Sequence, residues 1–320
     1  MRQQWFSRGW KLLVSIALLA ILVWTQDLSD VFQLIRHAHS GWLVLSTLLM
    51  LIEQTITAVT WGILLAARRL KVPMLELINI YYMSSFIGTW LPSSTGPDVL
   101  RAYYLARYVD GYDAVGSMLV LRFISLLGLG LFAVAGIYLV PSELPPEALL
   151  LAWFLVAAGA GALFVGFTER PRRWATAVLE AIGLRRVAAI LGKLHGALHA
   201  YRKSPGALLV AMFLSMVVQF LRIVTIYYAA LALGAGVPFL HYLVLVPVTI
   251  LISLIPISLA GLGVREGAFV YFFSRVGMSE SMAFSLSLLM FGLTLVLWVI
   301  GAALYWRDRP AAGTASARSS

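Results

Sequence analysis

The chain has 320 residues, of which 61% are hydrophobic and only 12% charged, with a mean hydropathy of +0.90. Such a composition excludes a soluble globular domain and reads as an integral membrane protein. The net charge of +10 comes from basic residues in short segments beside apolar runs, which points to anionic leaflet surfaces rather than nucleic acid. With no cysteine, disulfides, thiolate catalysis and cysteine metal sites are excluded.

Crossing about 30 Å of hydrocarbon takes roughly twenty apolar residues. Six runs qualify as spans: 10–25, 41–66, 113–140, 147–168, 206–233 and 281–306. The first follows Arg2, Arg8 and Lys11 like a signal peptide, but it has no small-x-small cleavage site before Thr25 and reads as retained. Trp10 and Trp24 bracket it, and Trp42 and Trp61 lie near the ends of the second, where interfacial aromatics are expected. Residues 26–40 carry Asp27 and Asp30 against Arg36 and read as a loop; His37, His39 and His241 read as interfacial.

Two further apolar stretches, 74–91 and 239–258, lead into a duplicated motif. Leu91–Ala102 reads LPSSTGPDVLRA and Ile255–Ala268 reads IPISLAGLGVREGA, with Pro92, Ser94 and Arg101 matched by Pro256, Ser258 and Arg265. Proline and small residues (Gly96, Pro97, Gly261, Gly263) stand where a helix would otherwise continue, and broken backbone at membrane depth requires surrounding protein or a wet cavity.

Loop charge sets the expected orientation. The N-terminal segment, the turn at Arg68, Arg69 and Lys71, the segment 169–203 and the tail with Arg307 and Arg309 are basic, which places them and both termini in the cytoplasm. The opposite loops, 141–147 and 234–241, contain no lysine or arginine. Counting crossings then makes 73–111 and 239–278 re-entrant hairpins entering from opposite sides; reading 74–91 as a complete span would violate the positive-inside rule. The expected fold is an all-α polytopic membrane protein. It has six full spans and two re-entrant hairpins in two inverted-topology repeats, 41–140 and 206–306, within a single membrane domain 1–306 followed by a disordered tail 307–320. Such repeats mark transporters and place the substrate site where the interrupted helices meet. Segment 169–203 has helical apolar spacing among arginines and reads as one or two amphipathic helices on the cytoplasmic face, linking the repeats. There His195 and His199 stand at i, i+4, a zinc-compatible spacing with no third ligand close by in sequence, so they read as a solvated face and no metal is expected.

Charges inside the spans carry the functional reading. Glu53 and Gln54 lie near the middle of one span, Gln219 and Arg222 near the middle of its counterpart, and Arg122 well inside 113–140. Buried charges there need partners and face the bundle interior. Asp98 with Arg101 and Arg265 with Glu266 would leave each hairpin neutral, and Glu53 would then face Arg122 and Arg222 with one cation in excess. Arginine's planar fork suits a phosphate, and the helices starting near Pro97 and Gly263 present their N-termini to the same region. Ser93, Ser94, Thr95 and Ser258 would either donate to headgroup oxygens or cap those helices. No phosphate loop, nucleophile elbow or acidic metal cluster is present, so no covalent chemistry and no cofactor is expected.

Phe86–Leu105 (FIGTWLPSSTGPDVLRAYYL), Val120–Ile124 around Arg122 and the GLGVREGA of the second motif resemble the lysylphosphatidylglycerol synthase transmembrane-region family of flippase-like membrane proteins. The resemblance spans about residues 12 to 305 and implies lipid handling. Two departures stand out. About fourteen residues follow the last span, where the synthases carry a soluble aminoacyltransferase domain, so aminoacylation is not expected. Asp98 stands where many members have glutamate. The leading expectation is a translocase of an anionic phospholipid or polyprenyl-phosphate-linked lipid. The headgroup would be bound by Arg101, Arg122 and Arg265, with Arg222 as a fourth, and Glu53, Asp98 and Glu266 would balance these arginines in the empty state. The alternatives are a non-transporting partner of a lipid-synthesis enzyme or glycosyltransferase, and a proton-coupled carrier of a small anion using Glu53.

Overall fold

The computed structural model describes residues 28–88, 96–140, 144–181, 183–255, 258 and 261–307, with scattered positions between 14 and 24. The described residues form helices and connecting turns, with no strand among them. In order these are α1 (Leu28–Arg36), α2 (Ser40–Ala67), α3 (Met74–Gly88), α4 (Gly96–Leu105), α5 (Gly111–Leu139) and α6 (Pro146–Phe167). They continue as α7 (Glu169–Ala181), α8 (Arg185–His199), a 3-10 turn at Ala200–Lys203, α9 (Pro205–Ala232), α10 (Phe239–Ser253), α11 (Val264–Ser274) and α12 (Glu280–Arg307). Five of them, α2, α5, α6, α9 and α12, are long and apolar enough to cross a membrane, and the protein is a multi-pass membrane protein. The expected span 10–25 falls largely outside the described residues, as do the turn residues Pro92, Ser93, Ser94, Thr95 and Pro256 and the tail from residue 308.

Local chemistry sets the helix starts. Asp110 caps α5 by accepting a hydrogen bond from the Tyr112 amide at 2.9 Å, while α6 and α9 begin with proline, whose missing N–H is no loss in a first turn. Helices α2 and α9 run antiparallel along their whole length. Trp42 stacks on Tyr228 near one end, Ser46 donates to the Thr225 carbonyl, and Ser204 donates to the Ala67 carbonyl at the other end.

The short helices pair off. Ser85 and Tyr81 of α3 both meet Arg101 of α4, and Gly88 abuts Pro97, so α3 and α4 form an antiparallel hairpin. In the second pair Ser253 approaches Gly261 and Tyr242 packs on Phe273, which makes α10 and α11 a hairpin as well. A fifteen-residue helix reaches only about 22 Å, less than a bilayer core. The first hairpin leaves from the C-terminal end of α2 and returns to that same end, where Arg68 pairs with Asp113 of α5 at 2.9 Å. The second leaves and returns at the opposite end, where Arg275 meets Glu147 of α6 at 3.5 Å. Each hairpin then packs across the molecule: α3 lies on α12, and α10 lies on α5.

Three apolar clusters pack the described residues. One surrounds the first hairpin and includes Trp61, Leu64, Leu105 and Tyr201; the second surrounds the second hairpin and includes Ile223, Tyr242, Leu245 and Phe273; a smaller third, Met50, Tyr82, Leu293 and Leu297, joins α2 and α3 to α12. Segment 169–203 forms the expected helices α7 and α8, while α1 was not anticipated: Val31 is buried and the helix packs on α12.

Where α3 crosses α12, a Cβ on Gly301 would stand 2.4 Å from the backbone oxygen of Tyr82 and 2.9 Å from Phe86 Cβ. Gly301→Ala is expected to lose about 1–3 kcal/mol through overpacking. Gly192→Ala, in α8 with nothing within 4 Å, should be neutral or slightly stabilising. Thermal loss of the monodisperse peak in detergent separates the two; equal behaviour would mean that α3 and α12 are not in close contact.

Candidate functional site: an arginine chain between two hairpins

Three carboxylates and four arginines occupy the polar waist. Asp98, in the first turn of α4, is shared: its Oδ1 accepts from Arg101 at 2.7 Å and its Oδ2 from Arg122 of α5 at 2.9 Å. Arg101 is buried, donates to Ser85 at 3.0 Å and lies 3.6 Å over the Tyr81 ring, a cation–π contact. Glu53 of α2, also buried, accepts from Arg222 Nε at 2.8 Å and from its Nη2. Gln219 steadies Arg222 from the preceding turn at 3.0 Å and anchors itself on the Ser125 carbonyl of α5 at 3.0 Å.

In the second hairpin, Glu266 is fully buried and turns one oxygen to the Gly263 amide at 2.7 Å and the other to Arg265, whose Nε lies 3.1 Å away. Gly263 has φ +82°, a conformation that favours glycine and directs its amide at that carboxylate. Arg265 also donates to Ser287 of α12 at 3.2 Å and lies 5.4 Å over Phe291. Each hairpin arginine therefore has an acid from its own first turn and an aromatic ring beneath it.

Several expectations need correction. The excess positive charge does not stand against Glu53, which is satisfied by Arg222; it stands at Asp98, which balances Arg101 and Arg122 together. At the α11 N-terminus, the Gly263 amide is taken by Glu266. Ser258 does not cap that helix: its hydroxyl is buried and without a hydrogen-bond partner. Gly96, expected just before a helix, is itself the first residue of α4.

The arginines do not converge on one pocket. Arg101, Arg122 and Arg222 line a cavity of about 100 Å³ together with Asp98, Tyr81 and Thr57. Arg265 lines a second cavity of about 310 Å³ with Glu53, Gln54 and Arg222. Arg222 is the shared wall. A third space of about 540 Å³ opens between α4 and α5; Val99, Ala102, Tyr103, Val115 and Leu119 make it apolar, and Asp98 and Arg122 make it polar at one end. Asp98 and Arg122 line both the first and the third of these spaces, and Arg222 lines both the first and the second. Sequence reading missed Tyr81 and Ser85, which sit one turn apart on α3; that i, i+4 spacing of polar groups in an apolar helix was the available signal.

Removing the acid from the shared wall would strand a guanidinium. Glu53→Gln is expected to cost roughly 1–3 kcal/mol, and adding Arg222→Gln should recover part of it because the bereft cation goes too. A double-mutant cycle on detergent stability measures this coupling; additive losses would mean that the pair does not interact.

Comparison with known proteins adds three findings. A membrane protein of Methanothermobacter thermautotrophicus named as a UPF0104 membrane protein is 20% identical over 296 residues, covering 84% of this chain and 85% of its own. No solved structure matches the chain. Residues 10–302 match the lysylphosphatidylglycerol synthase TM region, and the chain belongs to that family.

Proposed function

We propose that the protein is a lipid translocase that carries the phosphate-bearing headgroup of an anionic lipid between leaflets of the cell membrane, without covalent change. The observation that carries this reading is Asp98 divided between Arg101 and Arg122, beside a cavity that Arg222 also lines. An uncompensated guanidinium in a low-dielectric interior favours an entering anion, and planar bidentate donors match phosphate oxygens. Membership of a family described by a lipid-synthesis membrane region supports a lipid as the source of that anion.

The apolar groove between α4 and α5 suits the course of the substrate. A hydrocarbon chain lies along Val99, Tyr103 and Val115 or in the surrounding lipid, while the phosphate displaces Asp98 from Arg122. From there it passes to Arg101 and Arg222 and, once the Glu53 pair opens, to Arg265. In this reading the hairpins are re-entrant, the two units form inverted repeats, and both termini face the cytoplasm with the basic helices α7 and α8. The matched packing of α3 on α12 and α10 on α5 supports such a repeat, and exchange of access comes from one unit rocking against the other.

In liposomes with a fluorescent anionic phospholipid in one leaflet, Arg101→Ala, Arg122→Ala and Arg265→Ala are each expected to abolish protein-dependent transfer while remaining monodisperse. Wild-type rates in all three would end the reading. Transfer lost only in variants that also fail to fold would reduce the arginines to a packing role.

A further inference from the structure

Away from the polar waist, the helical linker brings a carboxylate distant in sequence beside a pair of histidines. Glu169 is in the first turn of α7, while His195 and His199 are in the last turns of α8. One ligand atom from each lies within 4.8 Å of the others. His195 is only 6% exposed, and its Nε2 is buried with no hydrogen-bond partner. The two imidazoles stack with centroids 5.6 Å apart, and His199 Nε2 lies 3.6 Å from Glu169 Oε1.

The two carboxylate oxygens of Glu169 have different neighbours. Arg172 donates to Oε2 at 2.7 Å and Arg173 Nε lies 3.7 Å from that same oxygen, which leaves Oε1 turned to the histidines. A carboxylate held from behind through one oxygen is how outer partners orient metal ligands.

We propose that Glu169, His195 and His199 bind one divalent transition-metal cation of the zinc class, with a fourth position left to water. Two imidazoles and a carboxylate are a common three-ligand set for zinc, and spacing i, i+4 places both rings on one helix face. The cation fastens the start of α7 to the end of α8. Since Ala197 presses on α5, where a Cβ on Gly116 would stand 2.9 Å from Ala197 Cβ, occupancy also fixes the linker against the helix that carries Arg122. This inference does not depend on the transport reading.

The test uses full-length protein purified without a histidine tag, stripped with chelator and titrated with zinc by calorimetry. One equivalent should bind. His195→Ala and His199→Ala should each weaken binding by at least roughly tenfold, as even outer-shell losses do. A double His37→Ala, His39→Ala variant should bind as wild type. Added zinc should also raise the unfolding temperature of wild type and leave that of His199→Gln unchanged. No binding, or binding unaffected by either α8 substitution, overturns the site. Zinc that stabilises wild type and His199→Gln equally does the same.

Discussion

Asp98 is one carboxylate with two guanidinium partners, and much of the waist is arranged to make that tolerable. The Tyr81 ring and the Ser85 hydroxyl take part of Arg101's demand, while Arg122 is partly exposed to the α4–α5 groove. Glu53 is unavailable to help, since it is buried against Arg222. A low-dielectric interior accepts charge only when it is paired, and the imbalance falls on Arg122, whose side chain is 31% exposed.

The two hairpins solve one problem in different ways. Each places an acid in the first turn of its second helix, where the helix dipole favours it. Glu266 is long enough to reach back to the Gly263 amide and also hold Arg265. Asp98 is a methylene shorter and reaches across to α5, joining the hairpin to a long helix. The acid in the first motif is thus an inter-helix strut, and the acid in the second is a local brace.

Much of this was legible in the sequence. Apolar runs located the five long helices, and Arg222 was one of the two arginines expected to face Glu53, although the other, Arg122, pairs with Asp98 instead. The i, i+3 spacing of Asp98 and Arg101 and the adjacency of Arg265 and Glu266 anticipated two further pairs. The rest depended on contacts between distant segments. Nothing in the spacing says that Asp98 also reaches Arg122, or that Arg222 divides the interior into two cavities. Glu169 is twenty-six residues from His195 and meets it only because α7 and α8 fold back on each other. Helix α1 was read as a loop because residues 26–40 were weighed by their charges alone; Leu28, Val31, Phe32 and Ile35, at i, i+3, i+4 and i+7, carried a helical signal, and Val31 is buried in a helix that packs on α12.

Each hairpin is packed on a long helix that lies far from it in sequence, and an apolar cluster of Met50, Tyr82, Leu293 and Leu297 joins α2 and α3 to α12. A tilt of the hairpins against those helices therefore exposes or buries apolar surface as well as changing ion pairs. Heat capacity responds chiefly to apolar surface gained or lost by water. A cycle that opens and closes at these contacts would carry a heat-capacity change, and the logarithm of its rate would curve against reciprocal temperature.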